Sequence, residues 1–211
     1  MPTEPQTVEV TRTYLQLSHF TDLKPADLKL ADQKAGDVKA AKSAGEHVRI
    51  ERVAECPASF FRFLYTEVGR FYHWVDRLVW TDDQIRDHLA RDAISLWVMY
   101  CGGAPAGYFE LERHGDGSIE IAYFGLLSCF LGRGLGKYLL TEAATQAWSS
   151  GPTRVWLHTC TLDDPAALPN YVKRGFVPFK QETYQTTIQP GEELRSASLK
   201  ILDKHDNRGD A

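Results

Sequence analysis

The sequence predicts a single α/β domain with a mixed, mostly antiparallel central sheet flanked by helices on both faces. Three observations predict it. Stretches of alternating polarity and stretches of helical periodicity follow one another as strand, two helices, three strands in a meander, helix, strand, helix, strand. Short glycine turns join the meander strands. A glycine-rich stretch, FLGRGLGKYLL (Phe130–Leu140), then leads from a strand into a helix.

Taken in order, TVEVTRTYLQL (Thr7–Leu17) alternates as a strand does. DLKPADLKLADQKAGDVKAA follows, repeating every five residues: Asp22, Asp27, Asp32 and Asp37 are each answered two positions later by Lys24, Lys29, Lys34 and Lys39. That period matches neither helix nor strand, although Lys24, Lys29 and Lys34 each lie three before the next Asp and could pair with it on a transient helix. The segment reads as a solvated, partly helical insertion or, alternatively, as a docking segment for a partner. Globular texture begins near His47. PASFFRFLYTEVGRFYHWVDRL opens at Pro57 and carries a helical stripe of Phe60, Phe61, Leu64, Val68, Phe71 and Tyr72. TDDQIRDHLARD starts with Thr81 as N-cap and acids in the first turn, a second helix.

ISLWVMYCGG and APAGYFELER are strands joined by a Gly-Gly turn, and a tight Gly-Asp-Gly turn leads to the strand in SIEIAYFGLL. LGKYLLTEAATQAW is a helix stopped by SSGP, and RVWLHTC is a strand. In DPAALPNYVKRGF, Asp164 is the expected cap, Pro165 takes the first turn, Lys173 and Arg174 oppose the dipole and Gly175 closes the helix. Pro169 is expected to limit or kink it. VPFKQETYQTTI ends the core as a strand. These transitions divide the chain into an N-terminal strand region (1–20), an Asp/Lys-rich insertion or linker (21–46), a globular domain (47–189) and a C-terminal tail (190–211).

A net charge of -4 argues against a nucleic-acid or anionic-membrane binder, which needs a basic surface. No apolar run approaches the roughly 20 residues that span a bilayer. MPTEPQTVEV has neither a basic nor an apolar leader region, so the expected location is cytoplasmic. Cys56, Cys101, Cys129 and Cys160 are scattered and form no Cys-x-x-Cys, and are expected to be reduced core residues. His158 and Cys160 share a strand face, but nothing nearby completes a metal site, so no metal is expected.

Glycine at alternate positions ahead of a helix brings the backbone close to something. The P-loop pattern fails at Leu131 and Tyr138, and the dinucleotide pattern fails because Gly132, Gly134 and Gly136 are spaced Gly-x-Gly-x-Gly. What remains is a turn whose N–H groups and helix dipole can hold a phosphate, with Arg133 and Lys137 beside it, or glycines that merely allow a tight turn.

EIAYFGLLSCFLGRGLGKYLLTEA resembles the acetyl-CoA-binding motif of the GNAT-family N-acetyltransferases, Gln/Arg-x-x-Gly-x-Gly/Ala between a strand and a helix. VWLHTCTLDDPAALPNYVKRGF is similar to the family's second block, a strand and a helix ending in Tyr-x-x-x-Gly-Phe. The resemblance covers roughly Val48 to Ile188. Leu131 replaces the usual Gln/Arg, and Asp164 stands where Asn is common. The resemblance implies that acetyl-CoA is the cosubstrate. Its pyrophosphate would meet the backbone of Leu131, Gly132, Arg133, Gly134, Leu135, Gly136 and Lys137, and its pantetheine arm would lie along Leu126 and Leu127, with Asp164 as a side-chain contact. Tyr171 takes the family's general-acid position, and Glu120 stands where the histone-acetylating branch carries its catalytic glutamate.

A primary ammonium, with a pKa of about 10, must lose a proton before it attacks, and the departing thiolate must gain one. A hairpin pivoting on Asp116 sets Glu112 opposite Glu120 and Ala122 opposite Glu110, all on one face. Repulsion between the carboxylates would tune one of them upward as a base; alternatively they are the solvated side of a hairpin. His73 and Trp74, where the first helix gives way to a loop, are expected acceptor contacts together with Glu110 and Glu112, an aromatic and acidic wall suited to a cationic amine with an apolar body. The resulting expectation is an acetyl-CoA-dependent N-acetyltransferase acting by direct attack on a small-molecule or peptide amine, as a monomer or homodimer, with no nucleic-acid or membrane partner. The alternatives are a non-catalytic CoA-binding or regulatory module, a transferase for another acyl-CoA or a protein amine, and a generic phosphate or nucleotide binder.

Overall fold

The computed structural model describes residues 4–27 and 48–188. Its strands are β1 (Gln6–Leu17), β2 (Val48–Arg52), β3 (Ile94–Cys101), β4 (Ala104–Arg113), β5 (Ile119–Leu126), β6 (Val155–Cys160) and β7 (Val177–Ile188). Its helices are α1 (Ala58–Gly69), α2 (Asp82–Leu89), α3 (Leu135–Trp148) and α4 (Ala167–Lys173). The strands form one sheet in the order β2-β3-β4-β5-β6-β1-β7, antiparallel throughout except for the β5–β6 pair. This is the mixed α/β architecture that the sequence predicts. Among the described residues no helix is long and apolar enough to cross a membrane.

Alternation along the central strands divides the core between the two faces. On β4, Phe109 and Leu111 join Leu139, Leu140, Ala143, Ala144 and Ala147 of α3, whereas Tyr108 joins Phe61, Leu64, Tyr65 and Val68 of α1 and Ile85 of α2. Three fully buried alanines let α3 lie close against the sheet. Each buried leucine or phenylalanine contributes roughly 1.5–3 kcal/mol by leaving water.

Local signals are followed closely. Thr81 accepts from the Gln84 N–H at 3.2 Å while Gln84 reaches back to the Thr81 N–H at 2.8 Å, a reciprocal cap that starts α2. Gly102 and Gly103, at φ 61° and 87°, turn β3 into β4. Several expectations need correction. β2 was not expected: its five residues carry three charges and it pairs only with β3, so little apolar patterning marks it. β1 lies inside the sheet between β6 and β7. α1 stops at Gly69 because the chain folds back and sets Trp74 where a side chain on that glycine would stand, which leaves Phe71 and Tyr72 in the following turn. α4 begins at Ala167, so Asp164 caps the preceding turn by accepting from the Ala166 N–H at 2.8 Å. Pro169 lies in the first helical turn, where its missing N–H takes no intrahelical hydrogen bond away. The cysteines are free: half-buried Cys101 and Cys56 pack against the two core clusters, Cys160 is half-buried, and Cys129 departs from expectation by being exposed.

Most of the Asp/Lys repeat and the tail from 190 lie outside the described residues. The start of the repeat packs down rather than projecting. The Lys24 N–H donates to the Arg174 carbonyl at 2.9 Å, and the Ala26 N–H donates to Thr141 Oγ1 at 3.0 Å.

Beneath α1 and α2, Arg77 donates to both oxygens of Glu110 at 2.8 and 3.0 Å, and His88 Nε2 lies 3.0 Å from Oε1. Burial alone would raise the Glu110 pKa, but the bonds from His88 and Arg77 outweigh it and hold the carboxyl below the usual carboxylate range. Glu110→Gln is expected to cost about 3–5 kcal/mol in chemical denaturation, because Arg77 is left buried without its counter-charge. Since the native pKa is depressed, the carboxyl's contribution is complete above its unfolded value of about 4.3 and is lost as pH falls through the native one. The variant should lack that acid limb. A second expectation concerns Gly175, at φ 98°, where a Cβ would meet the Asp22 carbonyl oxygen at 1.9 Å. Gly175→Ala should lose about 3 kcal/mol from backbone strain and displacement of the Asp22 chain. Gly151→Ala, at φ 64° with nothing within 4 Å, should lose only about 1 kcal/mol.

Candidate active site

The parallel β5–β6 ladder consists of two pairs, Ile119↔Val155 and Glu120↔Trp156. Beyond Glu120 the strands part, and the gap becomes a cavity of about 1030 Å³ walled by both strands, the glycine loop, α4 and the segment after α1. The β5 edge that turns away from β6 keeps unpaired backbone groups along this gap. On its other edge β5 carries a bulge: Leu111 pairs with Ile121 but Glu110 with Tyr123, which leaves Ala122 as the extra residue. The bulge places Glu120 and Tyr123 on the same face.

One side of the cavity is built to meet an anion. Gly132 and Gly134 adopt φ 74° and 76°, and Gly134 is the N-cap of α3. No side chain caps this helix and no acid lies in its first turn, so the N–H groups of Leu135, Gly136 and Lys137 are free to point at a ligand. Leu131, Gly132, Gly134, Gly136 and Lys137 line the cavity, joined by Lys173 and Arg174 from the end of α4. Arg133 instead lies over the Phe130 ring at 5.0 Å, outside the lining. Leu126 lines the gap; Leu127 packs toward α1, and Leu135 is buried, so these two offer only main chain.

Tyr171 faces the same cavity from α4, wedged edge-on between Phe124 and Phe176 at 6.2 and 6.3 Å. Its hydroxyl makes no hydrogen bond among the described residues. Burial, with the nearby charges of Asp163 and Asp164, pushes its pKa up, so the phenol stays protonated and has a proton to give near neutral pH. Asp164 lines the cavity and accepts from the Tyr72 hydroxyl at 3.2 Å.

The opposite side is acidic and aromatic. Glu112 does face Glu120. The repulsion between them is answered on each side: Arg91 reaches Glu112 at 2.6 Å, His114 Nε2 lies 3.1 Å from Glu120 Oε2, and His158 Nδ1 lies 3.3 Å from Oε1. The His158 contact is close enough for ion pairing but too poorly aligned for a hydrogen bond, which leaves that buried nitrogen without a bonded partner. Glu110 is a correction. Because of the bulge it meets Tyr123 instead of Ala122, is fully buried against Arg77 and His88, and lies outside the lining. His73 and Trp74 line the cavity, with His73 at φ 54° and Trp74 edge-on to Tyr123 at 5.0 Å.

Sequence reasoning missed Asp76, which lines the cavity and accepts from Tyr65 at 2.6 Å and Tyr123 at 2.5 Å. It also missed Tyr123 and the pairing of two histidines with Glu120. The spacing of Glu112 and Glu120 about the hairpin was the one available signal, and it carried no trace of the bulge. Among the described residues no three His, Cys, Asp or Glu side chains group as metal ligands.

A family model described as the acetyltransferase (GNAT) family matches residues 59–176. No curated protein matches the sequence. Similar solved structures include a GCN5-related N-acetyltransferase from Kribbella flavida, with TM-score 0.55 and 20% identity over 89% of this chain and 61% of that one. A GCN5-related N-acetyltransferase from Sphaerobacter thermophilus has TM-score 0.56 and 15% identity over 89% and 54%. An aminoglycoside acetyltransferase from an uncultured soil metagenomic sample, in complex with sisomicin, has TM-score 0.51 and 16% identity over 60% and 87%. The chain thus spans little more than half the length of the first two, and identities this low establish the fold alone. With the family model covering more than half of the chain, and the splayed strands and uncapped glycine loop in place, the chain belongs to the acetyltransferase (GNAT) family.

Proposed function

We propose that the protein is an N-acetyltransferase that moves the acetyl group of acetyl-CoA to a primary amine by direct attack. The observation that carries this reading is one cavity holding anion-ready N–H groups, the Tyr171 phenol and the Glu120 carboxylate. Uncapped donors beside Lys137, Lys173 and Arg174 fit a diphosphate, and the unpaired β5 edge fits an amide-bearing arm laid against it as an added strand. When bound, acetyl-CoA supplies an activated acetyl group and a thiolate as leaving group.

The chain's own residues supply the proton handling. Glu120 takes a proton from the ammonium so that the nitrogen lone pair is free, and Tyr171 donates its proton to the departing sulfur. Asp76 and Glu112 set a negative wall, with Trp74 and Tyr123 as aromatic surface, which suits a cationic amine on an apolar body. His73 extends that wall. Leu126 and the loop from Leu131 to Lys137 position the cosubstrate, and Asp164 helps through Tyr72.

Thiol release from acetyl-CoA with a panel of primary amines tests the activity. Tyr171→Phe should lower kcat on the order of 10²-fold while leaving the KM for acetyl-CoA unchanged, as loss of an acid should. Unaltered kcat would remove Tyr171 from the reaction. Gly136→Asp separates binding from folding. An acid in the first turn of α3 favours the helix dipole by about 0.3–1 kcal/mol, yet repels a diphosphate. Calorimetry should therefore find CoA affinity at least roughly 10-fold weaker in a protein of equal or higher melting temperature.

A further inference from the structure

The reaction frees one proton per turnover: an ammonium loses two protons, the thiolate keeps one, and the other must reach solvent. Glu120 is poorly placed to release it directly, since its side chain is only 12% exposed. Its Oε1 faces His158, which lines the cavity. Its Oε2 is hydrogen-bonded to His114 Nε2 at 3.1 Å. His114 stands outside the cavity lining, at the end of the β4–β5 turn, with 35% of its side chain exposed. Its ring is held against Trp156 at 5.4 Å, so the imidazole keeps its place without depending on Glu120 alone.

We infer that His114 is the proton exit of the site, connecting the Glu120 carboxylate to solvent. The inference rests on the reading of Glu120 as the base. In the step, an N–H bond of the ammonium breaks and an O–H bond forms on Glu120, with the electron pair left on nitrogen. At rest the Nε2–H of His114 donates to the Glu120 carboxylate. Once Glu120 holds the proton, the neutral ring exchanges through water to its Nδ1–H tautomer, the bare Nε2 takes the acid's proton, and the imidazolium gives up its Nδ1 proton to water. That leaves Nε2–H donating to the carboxylate as at the start, and no other reactant is needed. The charged and titratable groups facing this pair are Glu112 with Arg91, Asp116 with Arg154 at 3.7 Å, and His158, which stacks on Tyr14 at 5.6 Å. His158 borders the cavity side of the carboxylate, and His114 serves the outer side.

The test uses the full chain in multiple-turnover acetyl transfer at saturating acetyl-CoA and amine, in dilute buffer, where Glu120 must be emptied once per cycle. His114→Ala should react on the order of 10²-fold more slowly, with amine and acetyl-CoA affinities unchanged. Added imidazole should restore the rate in proportion to its concentration, while the unmodified enzyme ignores it. A merely structural His114 would not respond to imidazole. His114→Asn keeps a hydrogen-bond donor for Oε2 but cannot relay, and should show the same slow, rescuable rate at an unchanged melting temperature. A wild-type rate in either variant, or a slow rate that imidazole leaves unchanged, overturns the exit. A Glu120→Gln enzyme running at wild-type rate overturns the base and the exit together. An inactive Glu120→Gln beside a fully active His114→Ala overturns the exit alone.

Discussion

The separation of β5 from β6 after two residue pairs is the constraint on which the rest of the site depends. A parallel ladder continued to Leu126 would bury its backbone groups in hydrogen bonds and fill the space now left open. Because it stops at Glu120, three things occur together. A strand edge is exposed inside the protein, a cavity opens through the sheet, and a carboxylate stands at the point of divergence. The glycine loop then continues from the free end of β5, so the N-terminus of α3 is aimed along the same gap.

The bulge at Ala122 decides what surrounds that carboxylate. Without the extra residue, positions 120 and 123 would point to opposite faces. With it, Tyr123 joins Glu120 on one face of the cavity, offers its hydroxyl to Asp76 and lies under Arg77 at 4.1 Å. Arg77 in turn is fastened to Glu110. This buried pair ties the segment after α1, which carries His73, Trp74 and Asp76, to β4. A desolvated ion pair contributes little net stability compared with apolar residues of similar size. Its effect here is positional: Val75, Leu78 and Val79 are exposed, and the pair holds the stretch between the apolar anchors Phe71, Trp74 and Trp80.

Features written into short stretches of chain were legible in the sequence. The cap at Thr81, the Gly-Gly turn, the facing of Glu112 and Glu120 and the backbone demand of the glycine loop each depend on residues a few positions apart. Tyr171 was legible only through its spacing within a longer motif. What escaped depends on distant partners or on a single added residue. β2 has too little apolar content to declare itself, and nothing in β1 says that it will lie between β6 and β7. A bulge leaves no mark in composition, so Glu110 was assigned to the acceptor when it belongs to Arg77, 33 positions away in the chain. Asp76, Tyr123 and the histidines beside Glu120 were hidden for the same reason, because their roles exist only once the register has shifted.

The proposed acid and base also come from opposite sides of the sheet. Tyr171 belongs to the cluster under α3, with Phe124 and Phe176, whereas Glu120 shares its face with Tyr123 and Glu112. An intact sheet would keep them apart, each against its own helices. The gap between β5 and β6 lets both line one cavity while their surroundings stay different. The phenol sits in an apolar pocket that keeps it neutral, and the carboxylate sits among imidazoles and water-accessible edges. An acid that must hold a proton and a base that must shed one require those opposite environments. A single pocket on one face would tend to give both groups the same environment. Opening the sheet between two strands supplies a different one to each within reach of a common substrate.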